Sequence, residues 1–389
     1  MMLEVKNKMV KFLIVFGTRP EAIKLAPVIK ELKTKDSALI RICVTAQHRD
    51  MLDQVLNLFE ITPDYDLNVM IDNQTPTQVA SSILSRMESI LNQERPDWVI
   101  VQGDTTTMAA AAIAAFYARV KVGHVEAGLR TFDKSQPFPE EMNRKIAGAV
   151  ADLHFAPTEK ARQNLLREGV DSKAILVTGN SVIDALHLVA PTPFDINKLK
   201  IPLLYSHETR KIIFVTAHRR ENFGKPLEDI CMALAELARL YQEKIAIIYT
   251  VHRNPNIWDN VHKFLSGISN IALVPPLDYL STVNIMKRSY LILTDSGGIQ
   301  EEGPSLGKPV LVLRNVTERP EAVEAGTVKI VGTEKTRIIN EVAKLIEDHK
   351  EYERMALAMN PYGDGKASQR IASALLNEPI VEFVPAKRL

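Results

Sequence analysis

Short runs of valine, isoleucine and leucine recur along the 389-residue chain, each followed by an amphipathic stretch. This alternation restricts the fold more than any other feature, because it is the pattern of parallel strands joined by crossover helices. The runs are nearly continuous in apolar residues, as expected for strands covered on both faces. In the first half the expected strands are 11–16, 39–45, 98–101, 121–125, 153–156 and 174–177, with helices over 20–32, 106–118 and 141–150. The rhythm restarts with strands at 211–216, 245–250, 271–274, 290–294, 309–313 and 328–331, and helices at 226–241, 280–287, 298–306 and 335–347. Two last helices, 351–359 and 366–376, flank the break Asn360-Pro361-Tyr362-Gly363. Between the halves, 190–210 holds Pro191, Pro193 and Pro202 and few periodic apolar positions. It reads as the crossing between two α/β domains, 9–190 and 205–365, each long enough for its own core.

Composition removes several function classes. Forty-eight basic residues against forty-seven acidic ones give a net charge of +1. Nucleic acid and anionic membranes both require a concentrated basic surface, so neither is an expected partner. The apolar run from Met9 to Phe16 is too short to span a bilayer and ends in a turn, so it reads as a first buried strand of a cytoplasmic protein. Cys43 and Cys231 stand far apart and match no metal spacing. They read as reduced core thiols, with no structural metal.

Chemistry-bearing residues gather at the carboxyl ends of the expected strands. Phe16-Gly17-Thr18-Arg19-Pro20-Glu21 follows the first strand. Gly17 permits a tight turn, Pro20 suits the first helical position, and the helix-end amides beside Arg19 suggest an anion site with Lys24 near the same mouth. An ordinary strand-to-helix turn with a surface arginine is the plainer reading. Gln102-Gly103-Asp104-Thr105-Thr106-Thr107 delivers Asp104 to a strand end, either as a helix cap or as a functional acid. Glu126, in His124-Val125-Glu126-Ala127-Gly128-Leu129-Arg130, ends an apolar strand, where an unpaired carboxylate is costly. It therefore has a partner, a catalytic task or solvent. Pro137-Phe138-Pro139-Glu140-Glu141 opens a helix where acid is favoured, and one of the two glutamates reads as a capping charge. His218, followed by Arg219 and Arg220, ends the first strand of the second half, mirroring Arg19. The most specific motif is Thr294-Asp295-Ser296-Gly297-Gly298-Ile299-Gln300-Glu301-Glu302. Its small residues let a diphosphate approach the amides of a helix end, and Glu302 is spaced to accept ribose hydroxyls. Arg319 follows near the same strand ends. Neither G-x-G-x-x-G after a strand nor a Walker loop is present, which argues against a tightly held nicotinamide.

The segments FGTRPEAIK (16–24), GDTTT (103–107), GHVEAGLRT (123–131), PEEMNR (139–144), HRRENFG (218–224), DSGGIQEE (295–302) and TERPEA (317–322) closely resemble the non-hydrolysing UDP-N-acetylglucosamine 2-epimerases. The likeness keeps the motif order from about residue 10 to the end. It implies a GT-B type α/β fold, two Rossmann-like lobes with parallel sheets flanking a central cleft. It also implies that the last segment, 366–389, returns to the first lobe. By the same likeness Arg19, Lys24, His218 and Arg319 line the nucleotide-sugar site. Ser296, Gly297 and Gly298 cradle the diphosphate, and Glu302 takes the ribose. Asp104, Glu126 and Glu140 are the acids tied to catalysis, with His218 joining the catalytic set. Members are commonly homodimers and need no cofactor. Two departures, Leu277 and Thr282, fall at positions flanking the uracil. Some members carry a second, activating site around Gln47-His48-Arg49 and His252, where this chain has Asp50 in place of a glutamine.

The reaction the resemblance implies is inversion at C2 of UDP-N-acetylglucosamine, giving UDP-N-acetylmannosamine. Elimination of UDP to a 2-acetamidoglucal and re-addition avoids oxidation at a carbon that bears nitrogen. Rival readings are a hydrolysing epimerase releasing free N-acetylmannosamine, an epimerase of a related UDP-sugar, a glycosyltransferase with an acceptor, and a non-catalytic UDP-sugar sensor. Gathering three acids around an anionic ligand speaks against simple binding.

Overall fold

The computed structural model describes residues 9–46, 49–71, 74–205 and 209–385. The chain divides into two compact units, one of residues 1–185 and 362–384, the other of 186–361 and 385–389. The first runs β1 (Val10–Phe16), α1 (Arg19–Lys33), β2 (Ala38–Val44), α2 (Arg49–Leu58), β3 (Tyr65–Asp66), α3 (Pro76–Glu94), β4 (Trp98–Gln102), α4 (Thr106–Tyr117), β5 (Lys121–Val125), α5 (Glu140–Val150), β6 (Leu153–Ala156), α6 (Glu159–Arg167), β7 (Ile175–Val177) and α7 (Ser181–Val189). Its seven strands are parallel, in the order β3-β2-β1-β4-β5-β6-β7. The order reverses direction between β1 and β4. At such a switch point the connecting helices lie on opposite faces, which leaves room for a ligand beyond the strand carboxyl ends.

The second unit runs β8 (Lys211–Thr216), α8 (Lys225–Leu240), β9 (Ile245–Thr250), α9 (Pro255–Leu265), β10 (Ile271–Val274), α10 (Tyr279–Arg288), β11 (Leu291–Thr294), α11 (Gly297–Ser305), β12 (Val310–Val312), α12 (Pro320–Ala325), β13 (Val328–Ile330), α13 (Lys335–Glu347) and α14 (His349–Ala356). Its parallel order, β10-β9-β8-β11-β12-β13, places the switch between β8 and β11. The expected strands all form, several with the expected bounds. β3 is an addition. It has two residues and no apolar run, so its sequence carries no strand pattern.

Helix α15 (Ala367–Leu375) belongs to the first unit and packs against α1. Its own N-terminus lacks a capping side chain. Asp184 of α7 substitutes, accepting from the Ala367 amide at 3.2 Å and the Ser368 amide at 2.7 Å. A helix end leaves its first amides without intrahelical partners, and a carboxylate from another element satisfies two of them here. Both cysteines are buried free thiols. Among the described residues no helix is long and apolar enough to cross a membrane.

The core of the first sheet holds two histidines. His124 of β5 and His154 of β6 are register partners, each 1% exposed. His124 Nε2 lies 2.8 Å from the Gly103 carbonyl, which only accepts, so that nitrogen carries the proton. Burial pushes both rings from the usual 6.5 down to about 4. In the unfolded chain they bind protons at a higher pH than in the fold. Stability is therefore lost as pH falls through the window from 6.5 to about 4. Each ring contributes on the order of 3 kcal/mol. Urea unfolding followed at pH 7 and at pH 5 should show a lower midpoint in acid, and His154→Phe should flatten that dependence. An equal midpoint at both pH values in the parent chain would show that neither ring is held neutral.

Candidate active site

In the first unit the acids and cations sit at the carboxyl ends of β1, β4 and β5. The β1–α1 turn differs from its sequence reading. Two of its amides, those of Gly17 and Thr18, are already taken. Glu21, 1% exposed, turns back and accepts from the amides of Gly17 at 3.0 Å and Thr18 at 2.8 Å. The Thr105 hydroxyl donates to its other oxygen at 2.6 Å. Thr18-Arg19-Pro20-Glu21 is thus a capping box, in which the N3 acid satisfies the cap amide. The role of Gly17 also changes. Its backbone is not left-handed, but a Cβ there would fall 2.1 Å from the Thr45 hydroxyl and 2.6 Å from that of Thr107. Gly17 permits close approach, not a special turn. Arg19 remains at the helix start, half-buried.

Asp104 is not the cap of α4. Thr105 is, accepting from the Met108 amide at 3.0 Å. Asp104 instead receives both Nε (3.0 Å) and Nη2 (2.6 Å) of Arg144, from α5. Asn143 donates to the Asp104 carbonyl at 2.8 Å. The third guanidinium nitrogen, Nη1, donates to Glu141 at 3.1 Å. Glu141 is fully buried and also accepts from the amides of Thr131 (3.1 Å) and Phe132 (3.0 Å). Its neighbour Glu140 differs. Glu140 Oε2 is buried without a hydrogen-bond partner. Of the two glutamates, Glu141 is the structural one. Glu140 lies one turn before Arg144, so the two share a helix face.

Glu126 follows β5 with a φ of 65°, a left-handed conformation that a glutamate rarely adopts. Its carboxylate pairs with Lys24 and accepts from Asn180 Nδ2 at 2.8 Å. Lys24 therefore reaches the β5 end. Asp104 and Glu126 are each paired with a cation, and Glu140 opens α5, the helix that carries Arg144.

In the second unit the carboxyl ends of β8 and β11 lie side by side. Asp295, fully buried after β11, accepts from the amides of His218 and Arg219, each at 2.8 Å, and from Asn222 Nδ2 at 3.0 Å. These bonds shape the His218 loop. The ring itself is exposed, with Nδ1 3.7 Å from Asp295 Oδ1, and stacks on His252 at 5.9 Å between centroids. Helix α11 begins at Gly297, and the Ser296 side chain makes no capping bond. Its third residue is Ile299, so the acid that caps α1 has no counterpart at that position. Gly297 faces Arg319: a Cβ there would stand 3.6 Å from the guanidinium carbon, an ordinary contact distance. Arg319 is paired with the fully buried Glu301. Glu318 sits in the same charged group. Burial raises its carboxyl, but Arg319 and Arg314, with Arg219, overcome that and hold it near 2. Glu302 accepts from the Tyr279 hydroxyl at 2.7 Å.

The chain matches the sequence model of the family described as UDP-N-acetylglucosamine 2-epimerase over residues 30–376. The chain belongs to that family. UDP-N-acetylglucosamine 2-epimerase of Escherichia coli (strain K12) is 53% identical over 374 residues, covering 95% of this chain and 99% of that one. Among solved structures, UDP-GlcNAc 2-epimerase from Neisseria meningitidis bound to UDP-GlcNAc superposes with a TM-score of 0.88 at 48% identity, covering 95% of this chain and 100% of that one. The S. aureus MnaA–UDP co-structure gives 0.89 at 47% identity, with 97% and 100% coverage. Two parallel-sheet α/β units are the architecture these 2-epimerases share with this chain.

Beside the residues expected from motifs, the 2-epimerase fold brings in others. Arg144 stood inside a quoted motif without a role, and Asp295 stood at a strand end before the glycines. Asn180 and Tyr279 carry no local signal. Of the positions tied to a second site, Gln47, His48 and the Asp50 side chain lie outside the described residues, while His252 packs on His218. The departing Thr282 donates its hydroxyl back to the Asp278 carbonyl at 2.8 Å. Among the described residues no group of three or more His, Cys, Asp or Glu is arranged to hold a metal ion.

Proposed function

We propose that this chain interconverts UDP-N-acetylglucosamine and UDP-N-acetylmannosamine without hydrolysis. The second unit takes the nucleotide: the start of α11 (Ser296, Gly297, Gly298) and Arg319 hold the diphosphate, and Glu302 the ribose. Arg19, Lys24 and His218 contribute positive or donor groups. The first unit supplies the acids that act at the sugar ring.

The C2 proton is not acidic, because no carbonyl adjoins it in the ring. Cleavage of C1–O therefore leads, and the bonding pair leaves with UDP. Positive charge grows at C1 and the ring oxygen. Asp104 and Glu126, each held in place by a cation and hydrogen bonds, oppose that charge without moving. The C2 proton passes to a carboxylate, and its bonding pair closes the C1–C2 double bond of the glycal. Return of a proton to the opposite face of C2 and addition of the UDP oxygen to C1 complete inversion. The observation that carries this reading is the inequality of the three acids. Two are tied down by Arg144 and Lys24, and Glu140 keeps an oxygen that accepts nothing. Glu140 is assigned as the proton carrier on one face.

The test is incubation of the purified protein with UDP-N-acetylglucosamine in D2O, without added cofactor or metal, followed by NMR. UDP-N-acetylmannosamine carrying deuterium at C2, in equilibrium with its epimer, is the expected product. Free N-acetylmannosamine with UDP would move the chain to the hydrolysing branch, and unchanged substrate would sink the epimerase reading. The proposal places the enzyme in the cytoplasm as a homodimer. Sedimentation giving only the 43.5 kDa monomer would reject the dimer.

A further inference from the structure

The nucleotide-binding unit contains a buried contact that the proposed reaction does not use. Tyr279 is the first residue of α10, and Asp278 caps that helix by accepting from the Ser281 amide at 2.7 Å. The ring is 6% exposed. Its hydroxyl meets Glu302 Oε1 at 2.7 Å, with Glu302 itself 6% exposed. The other oxygen, Oε2, lies toward Gly298, where a Cβ would stand 3.6 Å away. The carboxylate thus has one oxygen against the phenol and one beside the first turn of α11. Burial, and then the facing carboxylate, raise the phenol well above its usual range, so it stays a donor.

The terminal torsion of a glutamate is broad and nearly two-fold, so an untethered carboxylate samples many orientations. Ordering it at the moment of binding lowers affinity. A phenol fixed by a capped helix removes that freedom beforehand. We infer that Tyr279 is a positioning residue that sets ribose specificity, holding Glu302 by Oε1 so that Oε2 is presented beside Gly298 to the hydroxyls of a ribonucleoside diphosphate. The inference rests on the proposed assignment of Glu302 to the ribose. A 2′-deoxyribose lacks the hydroxyl that would donate to this oxygen. Hydrogen bonds to a charged acceptor are among the stronger ones, so discrimination against the deoxy ligand should be about 10-fold or more.

Calorimetric titration of the full-length protein with UDP and with 2′-deoxy-UDP reads this directly. The parent chain should prefer UDP. Tyr279→Phe should weaken UDP by about 10-fold and narrow the preference toward unity, while kcat at saturating UDP-N-acetylglucosamine changes little. A Glu302→Ala chain should already lack the preference, and adding Tyr279→Phe to it should change the ratio no further. A parent chain that binds both ligands equally would defeat the ribose assignment itself. A parent that discriminates beside a Tyr279→Phe chain that discriminates equally would overturn the role of Tyr279 alone. So would a further fall in the ratio when Tyr279→Phe is added to Glu302→Ala. A melting curve checks that Tyr279→Phe is folded. If it is not, Tyr279→Leu is read for the same ratio, with the same two outcomes.

Discussion

Glu140→Gln is expected to lower kcat by about 10²–10⁴-fold, the usual contribution of a positioned acid or base. KM and the melting temperature should move little. The reason lies in what the side chain lacks. Glu140 Oε2 is buried and accepts no hydrogen bond from the protein. A desolvated acceptor left unmade is destabilising, and such groups persist where function needs them. An amide there forfeits proton transfer and little else. Glu141 is the internal control. It accepts from two backbone amides and from Arg144, so Glu141→Gln should chiefly lower stability. NMR in D2O gives both turnover and C2 exchange for each variant. If Glu140→Gln kept activity within about 3-fold of the parent, Glu140 would not be the proton carrier, since general acid–base catalysis contributes far more.

The contrast between these neighbours shows where sequence reading stops. Both glutamates open the same helix, and composition treats them alike. Their difference comes from Thr131, Phe132 and Arg144, whose placement depends on a loop with no periodicity. The strands were legible because a doubly covered parallel strand must be apolar throughout, and β5, β6, β8, β9 and β10 begin and end where that pattern does. β3 was not legible, because two residues at a sheet edge need no such pattern. The end of α1 is a different case. The capping signature Thr18-x-x-Glu21 was present in the sequence, yet the glycine, arginine and proline around it suggested an anion site. The carboxylate of Glu21 takes the Gly17 and Thr18 amides for itself. In α11 the matching place holds Ile299, and the Ser296 side chain makes no capping bond.

The residues that hydrogen-bond to the candidate acids were the least visible. Arg144 finds Asp104 across 40 positions, Asn180 finds Glu126 across 54, and Tyr279 finds Glu302 across 23. No local spacing encodes such pairs. They appear only when parallel strands bring distant loops to one sheet edge. What the motifs did convey is which strand ends carry the charged and small residues. Arg19, Asp104 and Glu126 follow β1, β4 and β5, which are neighbours in the first sheet, and His218 and Ser296 follow β8 and β11, neighbours in the second.

Lys24→Met is expected to destabilise the first unit by about 3–5 kcal/mol, the usual result of removing one partner from a buried ion pair. The side chains of Lys24 and Glu126 are 11% and 6% exposed, so water replaces little of what is lost. Glu126 would keep the Asn180 bond but lose its paired ammonium, on a backbone already held at a φ of 65°. Adding Glu126→Gln should restore most of the melting temperature. A neutral pair of similar size is often as stable as the ion pair it replaces. Activity should stay about 10²-fold or more below the parent in the double variant. Stability and catalysis would then part company at one contact, as expected if strain and a buried charge are kept for the reaction and not for the fold. Thermal melts and the D2O assay on the two variants decide it. A Lys24→Met chain that melts like the parent would mean the charge is not confined as described. A double variant with parent-like turnover would remove Glu126 from the catalytic acids and leave Asp104 and Glu140 to account for both faces of C2.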